Sequence, residues 1–206
     1  MSPGATMERV YRDLTARIMD GAFAPGERLD PARLAENLAA STTPVRDALH
    51  RMSGERLIDS WHQEGFRSPV LAEPDLRDLY SWSLQVLLLA LRDPAPPQAL
   101  RLEQFGDEGG DYPARLAALF RGIALLSANR ELRHAILNLA DRSQVLRRAE
   151  LVGDPSAEPA LRSMENNYRL KRWAGLRADL TAFHRRRLAR VADVAAALRA
   201  RAPPLG

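Results

Sequence analysis

The chain contains no cysteine, which excludes disulfides, zinc–thiolate sites and cysteine nucleophiles at once. Aromatic residues are scarce, 6% against 46% hydrophobic overall. Leucine and alanine make up the difference, a profile that suits helices better than sheets. Long apolar runs are lacking as well. The longest, Leu84 to Leu91, is interrupted by Gln85 and is far too short to cross a bilayer. No charged-then-apolar leader precedes Met7, so no secretion signal is read and the expected location is the cytoplasm. A nucleophile–base pair, a glycine-rich phosphate loop and suitably spaced paired carboxylates are all missing, so no enzyme and no cofactor are expected.

What is present begins with charge. A net charge of +4 and an isoelectric point near 10.1 invite a nucleic-acid partner. Their distribution weakens that argument. Residues 1–72 carry nine Arg against ten Asp and Glu, whereas the remainder carries 21 Lys and Arg against 16 acidic residues. The basic excess therefore lies in the second half, and any case for DNA must rest on motif and placement.

Val10, Leu14 and Ile18 recur at four-residue spacing, which marks an amphipathic first helix ending at Gly21. The stretch from Gly21 to Gly26 reads as a turn, with two glycines that tolerate positive φ and Pro25 disfavouring helix at Ala24. Asp30 followed by Pro31 is a helix start, and Leu34, Ala35 and Leu38 form the apolar face of a helix over 30–39. Ser41-Thr42-Thr43-Pro44 is a second start of the same kind, and Val45, Ala48, Leu49 and Met52 stripe a third helix over 43–54. Leu57-Ile58 and Phe66 to Val70 are short extended candidates joined by a polar tip, His62 to Gly65. The expected architecture is mainly α: a winged helix-turn-helix over 1–72, with a two-stranded β-wing, then an all-α bundle over 73–206.

In that second part a helix runs from Asp75-Leu76 to about Leu91 and is broken by Pro94, Pro96 and Pro97. A Gly- and acid-rich loop, Gly106 to Asp111, follows. Helical patterns then cover roughly Pro113–Leu126, Glu131–Leu151 and Ala157 to the end, the last with a break near Gly175. No strand signal occurs after residue 72.

Two capped helices in tandem have the length and separation of a helix-turn-helix, which sets the N-terminus of its second helix into the major groove. Ser41, Thr42 and Thr43 can hold a phosphate there with the free amides, and Arg46 can fork onto a guanine edge or a phosphate. His62, Gln63 and Arg67, around Gly65 at the wing tip, are placed for the DNA backbone or minor groove. The plainer alternative is that Ser41 to Thr43 only cap a helix and Arg46 is solvated.

Tyr11-Arg-Asp-Leu-Thr-Ala-Arg-Ile18, Gly21-Ala-Phe-Ala-Pro-Gly-Glu-Arg-Leu29, Leu34-Ala-Glu36 and Ser41-Thr-Thr-Pro-Val-Arg-Asp-Ala-Leu49 together resemble the N-terminal domain of GntR-family regulators, bacterial transcription factors. The resemblance spans nearly all of residues 7–72. It implies operator contacts from Ser41, Thr42, Thr43, Arg46 and Gly65, and dimers on near-palindromic double-stranded DNA. Four positions depart from the family. Thr42 stands where an Arg is usual and Ala32 where another is frequent, with Arg33 beside it as a contact candidate; Gly is usual at Ala39 and at Arg56.

Phe120 to Leu132 resembles the helix and turn of the FadR-type C-terminal domain, an all-helical effector-binding bundle. Members often carry an Arg and a Glu where Ser83 and Leu87 stand. Many bind a divalent metal through an Asp and three His. Those positions fall on Ala117, Arg121, Asn166 and His184, so only one ligand survives and no metal site is expected. Two readings remain. Arg121, Asn166 and His184 line a pocket for a small organic-acid-like effector, with Arg121 as the positive centre; or Arg121 lies on the surface, Asn166 caps and His184 packs between helices. His134 is open in the same way. His184 to Arg187 with Arg190 reads as a solvated face or as a second nucleic-acid patch. Trp82 and Leu87 to Leu91 form an apolar stripe that serves either core or dimer interface, and Trp173 raises the same question. The expected function is a DNA-binding regulator, a repressor modulated by an effector; the alternative is a constitutive dimeric regulator whose second domain only dimerises.

Overall fold

Val10, Leu14 and Ile18 all lie on the inward face of α1 (Pro3–Met19), at 0%, 0% and 5% exposure. The computed structural model describes residues 3–61, 65–94 and 110–200. The chain divides into two units, residues up to Leu71 together with the chain end from Leu198, and Ala72–Ala197.

In the first unit α1 packs on α3 (Thr42–Gly54), and α2 (Pro31–Asn37) packs on α3 from another side. Leu34, Ala35 and Leu38 meet Val45, Ala48, Leu49 and Met52 in a core in which none exceeds 6% exposure. Gly21 and Gly26, between α1 and α2, have φ of 71° and 78°, the left-handed region that turn requires. After α3 come β1 (Asp59–Trp61) and β2 (Gly65–Arg67), antiparallel, with Asp59 opposite Arg67 and Ser60 opposite Phe66. The segment before α2 runs along the other edge of β2: Leu29 N donates to Phe66 O at 2.8 Å and Ser68 N to Glu27 O at 2.9 Å.

The ladder differs from the sequence expectation at both strands. Leu57 and Ile58 precede β1 and are buried core residues at 5% and 2% exposure. The second strand ends at Arg67, because Pro69 has no amide to continue the pairing. His62, Gln63 and Glu64 lie outside the described residues.

The second unit is helical: α4 (Glu73–Ala90), α5 (Tyr112–Leu125), α6 (Arg130–Arg142), α7 (Gln144–Leu151), α8 (Ala157–Arg169), α9 (Trp173–Ala189) and α10 (Val191–Arg199). The end of α10, from Leu198, groups with the first unit. Helix α4 packs against α9, α6 and α5, while α8 lies on α9 and α5 on α6. Two helical patterns are broken, one where the sequence shows no break and the other a few residues before the expected one. The stretch Glu131–Leu151 is two helices parted at Ser143. The Arg147 guanidinium donates to Ala140 O at 3.2 Å, satisfying a carbonyl that the break leaves without its helical partner. The last pattern breaks at Leu170–Arg172, where Lys171 has φ of 53°, and again at Arg190, but not at Gly175. Gly175 sits inside α9, where a Cβ would come within 3.0 Å of the Asn167 amide, so the glycine serves close approach of α8 rather than a turn. Pro94 follows the end of α4; Pro96, Pro97 and the loop residues 106–109 lie outside the described residues. No helix among the described residues is long and apolar enough to cross a membrane.

Candidate nucleic-acid interface

The two tandem helix starts are chemically unlike. Asp30 closes α2 by accepting from Ala32 N at 2.9 Å and Arg33 N at 3.0 Å. Those backbone bonds hold its carboxyl below the usual carboxylate range. Ser41 occupies the same position before α3, with extended φ and ψ of −80° and 163°, yet its side chain makes no capping hydrogen bond. That corrects the expectation of two equivalent caps. The first-turn amides of α3 are left for an outside acceptor, Pro44 excepted, at the positive end of a 13-residue helix.

Ser41, Thr42, Thr43 and Arg46 are all exposed at this end. The turn that presents them is held from below. Ala40 N donates to Ala35 O at 3.0 Å, and Arg9 donates from both terminal nitrogens to Leu38 O at 3.1 and 3.2 Å. Arg51, the other arginine of α3, is also exposed but lies against α1. It lies 3.8 Å above the Tyr11 ring and bonds Glu55 at 3.0 Å and Glu8 at 3.1 Å. The Tyr11 hydroxyl donates to Glu55, and burial, reinforced by that carboxylate, pushes its pKa up to about 12. One exposed arginine therefore fastens α3 to α1, while Arg46 stands at the presented end of the helix.

The other expected contacts are less uniform. The Arg33 side chain is 74% exposed, with Glu27 4.0 Å away. Arg67 is turned back, donating to Gly26 O at 3.2 Å. Gly65 is exposed with φ of 83° at the start of β2. His62 and Gln63 lie outside the described residues. The sequence reading omitted Asp47 and His50, which are exposed on α3 beside Thr43 and Arg46. The signal was available: Thr43, Asp47 and His50 follow one another at spacings of four and three. His50 also meets Phe66 edge-on at 4.9 Å, linking α3 to the wing.

In the helical unit the three effector candidates have separate engagements. Arg121 donates to Asp141 at 2.7 Å, and Asn166 is exposed on α8. His184 is 1% exposed, with Nδ1 2.8 Å from Leu180 O and Nε2 3.0 Å from Ser83 Oγ. A carbonyl only accepts, so Nδ1 carries the proton and Nε2 accepts from the serine. Burial first, then Arg187, depresses this pKa to about 4, and the ring is neutral. Of the two readings, the packed histidine is the one observed. His134 is exposed on α6. No group of three or more His, Asp or Glu among the described residues is placed to hold a metal ion.

The run His184–Arg187 is not one solvated face, because His184 and Arg187 are buried while Arg185 is exposed. Leu87 and Leu91 are core at 0% exposure, whereas Trp82 and Leu89 stand 51% and 53% exposed. Trp173 is half-buried, edge-on to Tyr168 at 6.1 Å.

Residues 6–67 match the family described as bacterial regulatory proteins, gntR family. Over 167 residues the chain is 27% identical to the HTH-type transcriptional regulator YdhC of Bacillus subtilis (strain 168), spanning 74% of each protein. In fold it is similar to the solved structure of Escherichia coli McbR/YncC, with a TM-score of 0.64 at 21% identity over 91% of this chain and 97% of that one. A GntR transcriptional regulator of Rhodococcus sp. RHA1 matches with a TM-score of 0.68 at 22% identity, over 91% and 98% of the two chains.

Proposed function

We propose that this chain, whose first unit carries the helix-turn-helix of the gntR regulator family, is a cytoplasmic repressor that binds operator DNA as a homodimer. The proteins it matches are transcriptional regulators, not enzymes. The observation that carries the reading is the open N-terminus of α3, with Ser41, Thr42 and Thr43 exposed around it and Arg46 one turn along. Free amides and hydroxyls take a phosphate and fix register; Arg46, with Asp47 and His50 on the same face, reads base edges. Arg33 and the wing from Gly65 add backbone contacts. Arg67 acts through the wing, since its guanidinium is engaged with Gly26.

The helical unit is assigned to the FadR type on the support of Phe120 to Leu132, which form the end of α5 and the turn into α6. Its role is assembly. The constitutive alternative is favoured over an effector at Arg121, Asn166 and His184, because Arg121 and His184 are held by other side chains and Asn166 faces out. One observation favours a ligand elsewhere: two arginines, Arg147 and Arg187, are buried with one buried carboxylate, Glu150, among the described residues, and Arg187 Nη1 has no hydrogen-bond partner. A small organic acid is the chemistry that would answer it.

Arg46→Ala tests the DNA reading. Binding to the promoter region of its own gene falls by at least about 1 kcal/mol, and wild-type affinity in that variant would remove α3 as the recognition helix. A melting temperature unmoved by a panel of organic acids leaves the constitutive reading standing, whereas a rise above that of the apo protein restores the sensor.

A further inference from the structure

Helix α4 carries a stripe that its own unit does not cover. Asp75, Asp78, Trp82, Gln85, Leu89 and, just past the helix end, Arg92 alternate at spacings of three and four, and all six are exposed. That spacing, close to the 3.6 residues of a helical turn, lines them up along one side of the helix. The opposite side, with Leu76, Leu79, Val86 and Leu87, fills the core. Trp82 and Leu89, about half exposed, are thus a second apolar face on a helix whose first is already used. Beside them, hollows along α9 are floored by small residues, Ala178 and Ala182, next to Leu88.

The charges along the stripe identify what covers it. Acids stand at the start of α4 and Arg92 at its end, Asp78 and Arg92 being separated by about 21 Å along the axis. A second α4 laid antiparallel, with a two-fold axis at Gln85, exchanges the ends. Asp78 then meets Arg92 of the second copy, Trp82 falls over its Leu88–Leu89, and Gln85 meets Gln85. The neighbouring pair Arg77 and Asp93 exchanges with opposite signs in the same register. A parallel pairing would set like charges together. The stripe is complementary to itself, as a two-fold interface must be.

We propose that the outer face of α4 is the interface with a second copy of this chain, packed antiparallel about Gln85. The inference rests on the homodimer reading above and gives that dimer its contact surface.

Sedimentation of the full chain, free of DNA, is the test. The wild type sediments as a dimer at micromolar concentration. Trp82→Glu sediments as a monomer with unchanged helicity, since the side chain it replaces is not in the core. Asp78→Arg and Arg92→Glu each raise the dimer dissociation constant at least about ten-fold by repulsion, and combining them restores it to within about three-fold of wild type. The chain has no cysteine, so Gln85→Cys with a short bismaleimide joins the two copies covalently at that one position. A dimer that ignores the Trp82, Asp78 and Arg92 substitutions, and a Gln85→Cys chain that does not cross-link, would overturn the α4 interface while leaving the homodimer intact. A wild type that sediments as a monomer overturns both and assigns the stripe to a different protein. Neither result touches the Arg46 test of DNA binding.

Discussion

Arg187 and Glu150 form an ion pair inside the helical unit, Nε to Oε2 at 3.0 Å, with each side chain 4% exposed. Tyr80 donates to the other carboxylate oxygen at 2.8 Å, Tyr112 shares a hydrogen bond with Arg187 Nη2, and the guanidinium lies 3.4 Å over the Phe183 ring. Burial, aided by Glu150, pushes the Tyr80 hydroxyl far above the ordinary phenol range. Removing one member of such a pair leaves the other charge buried and uncompensated.

Glu150→Ala is therefore expected to lower stability by on the order of 3–5 kcal/mol. Combining Glu150→Leu with Arg187→Met costs less than Glu150→Ala alone, because neither charge of the pair is left buried without its partner. Urea unfolding of the variants checks the order, and a double variant less stable than the single one would refute it.

Ala39 and Arg56 adopt φ of 46° and 60°, and both are exposed, so neither side chain contributes core packing that would offset the strain. Ala39→Gly and Arg56→Gly should each stabilise the chain by roughly 0.5–1 kcal/mol, glycine's larger unfolded-state entropy cancelling part of the relief. Thermal unfolding reads the gain. A lowered melting temperature in both would show that these positions are not strained.

Thr42 opens α3 without a positive charge. Thr42→Arg adds one phosphate contact, so DNA affinity should rise and the slope of log affinity against log salt should steepen by about 0.9. An unchanged slope would place residue 42 away from the DNA backbone.

His184 titrates near 4 in the folded chain because burial disfavours its charged form. The unfolded chain binds this proton more readily, near pH 6.5. Above that value the histidine is neutral in both states and costs nothing. As pH falls from about 6.5 towards 4 the unfolded state gains protons first, and stability is lost by an amount on the order of 3 kcal/mol. His184→Gln keeps a partner for Ser83 and should flatten that part of the pH–stability curve. A curve identical to wild type would mean that His184 titrates normally.

Much of the first unit was legible because its signals are local. Asp30-Pro31 is a local helix-start signal, and Val45, Ala48, Leu49 and Met52 share a helix face whatever packs against it. The break at Ser143 and the burial of Arg187 were not legible in that way. Ser143 parts two helices where Arg147, four residues on, reaches back to the Ala140 carbonyl, and Arg187 is drawn inward by Glu150, 37 positions away in the chain. Both depend on partners that only packing supplies.

The candidate site divides along the same line. The sequence alone determined that Ser41 to Arg46 would stand at a helix start, since residue type and spacing decide that locally. Tertiary structure decided that Ser41 leaves its helix uncapped, that Arg51 is engaged by Tyr11, Glu55 and Glu8, and that His184 is locked to Ser83, 101 positions distant. A helix repeat fixes which side chains share a face; only the neighbours of that face decide which of them are left free to bind.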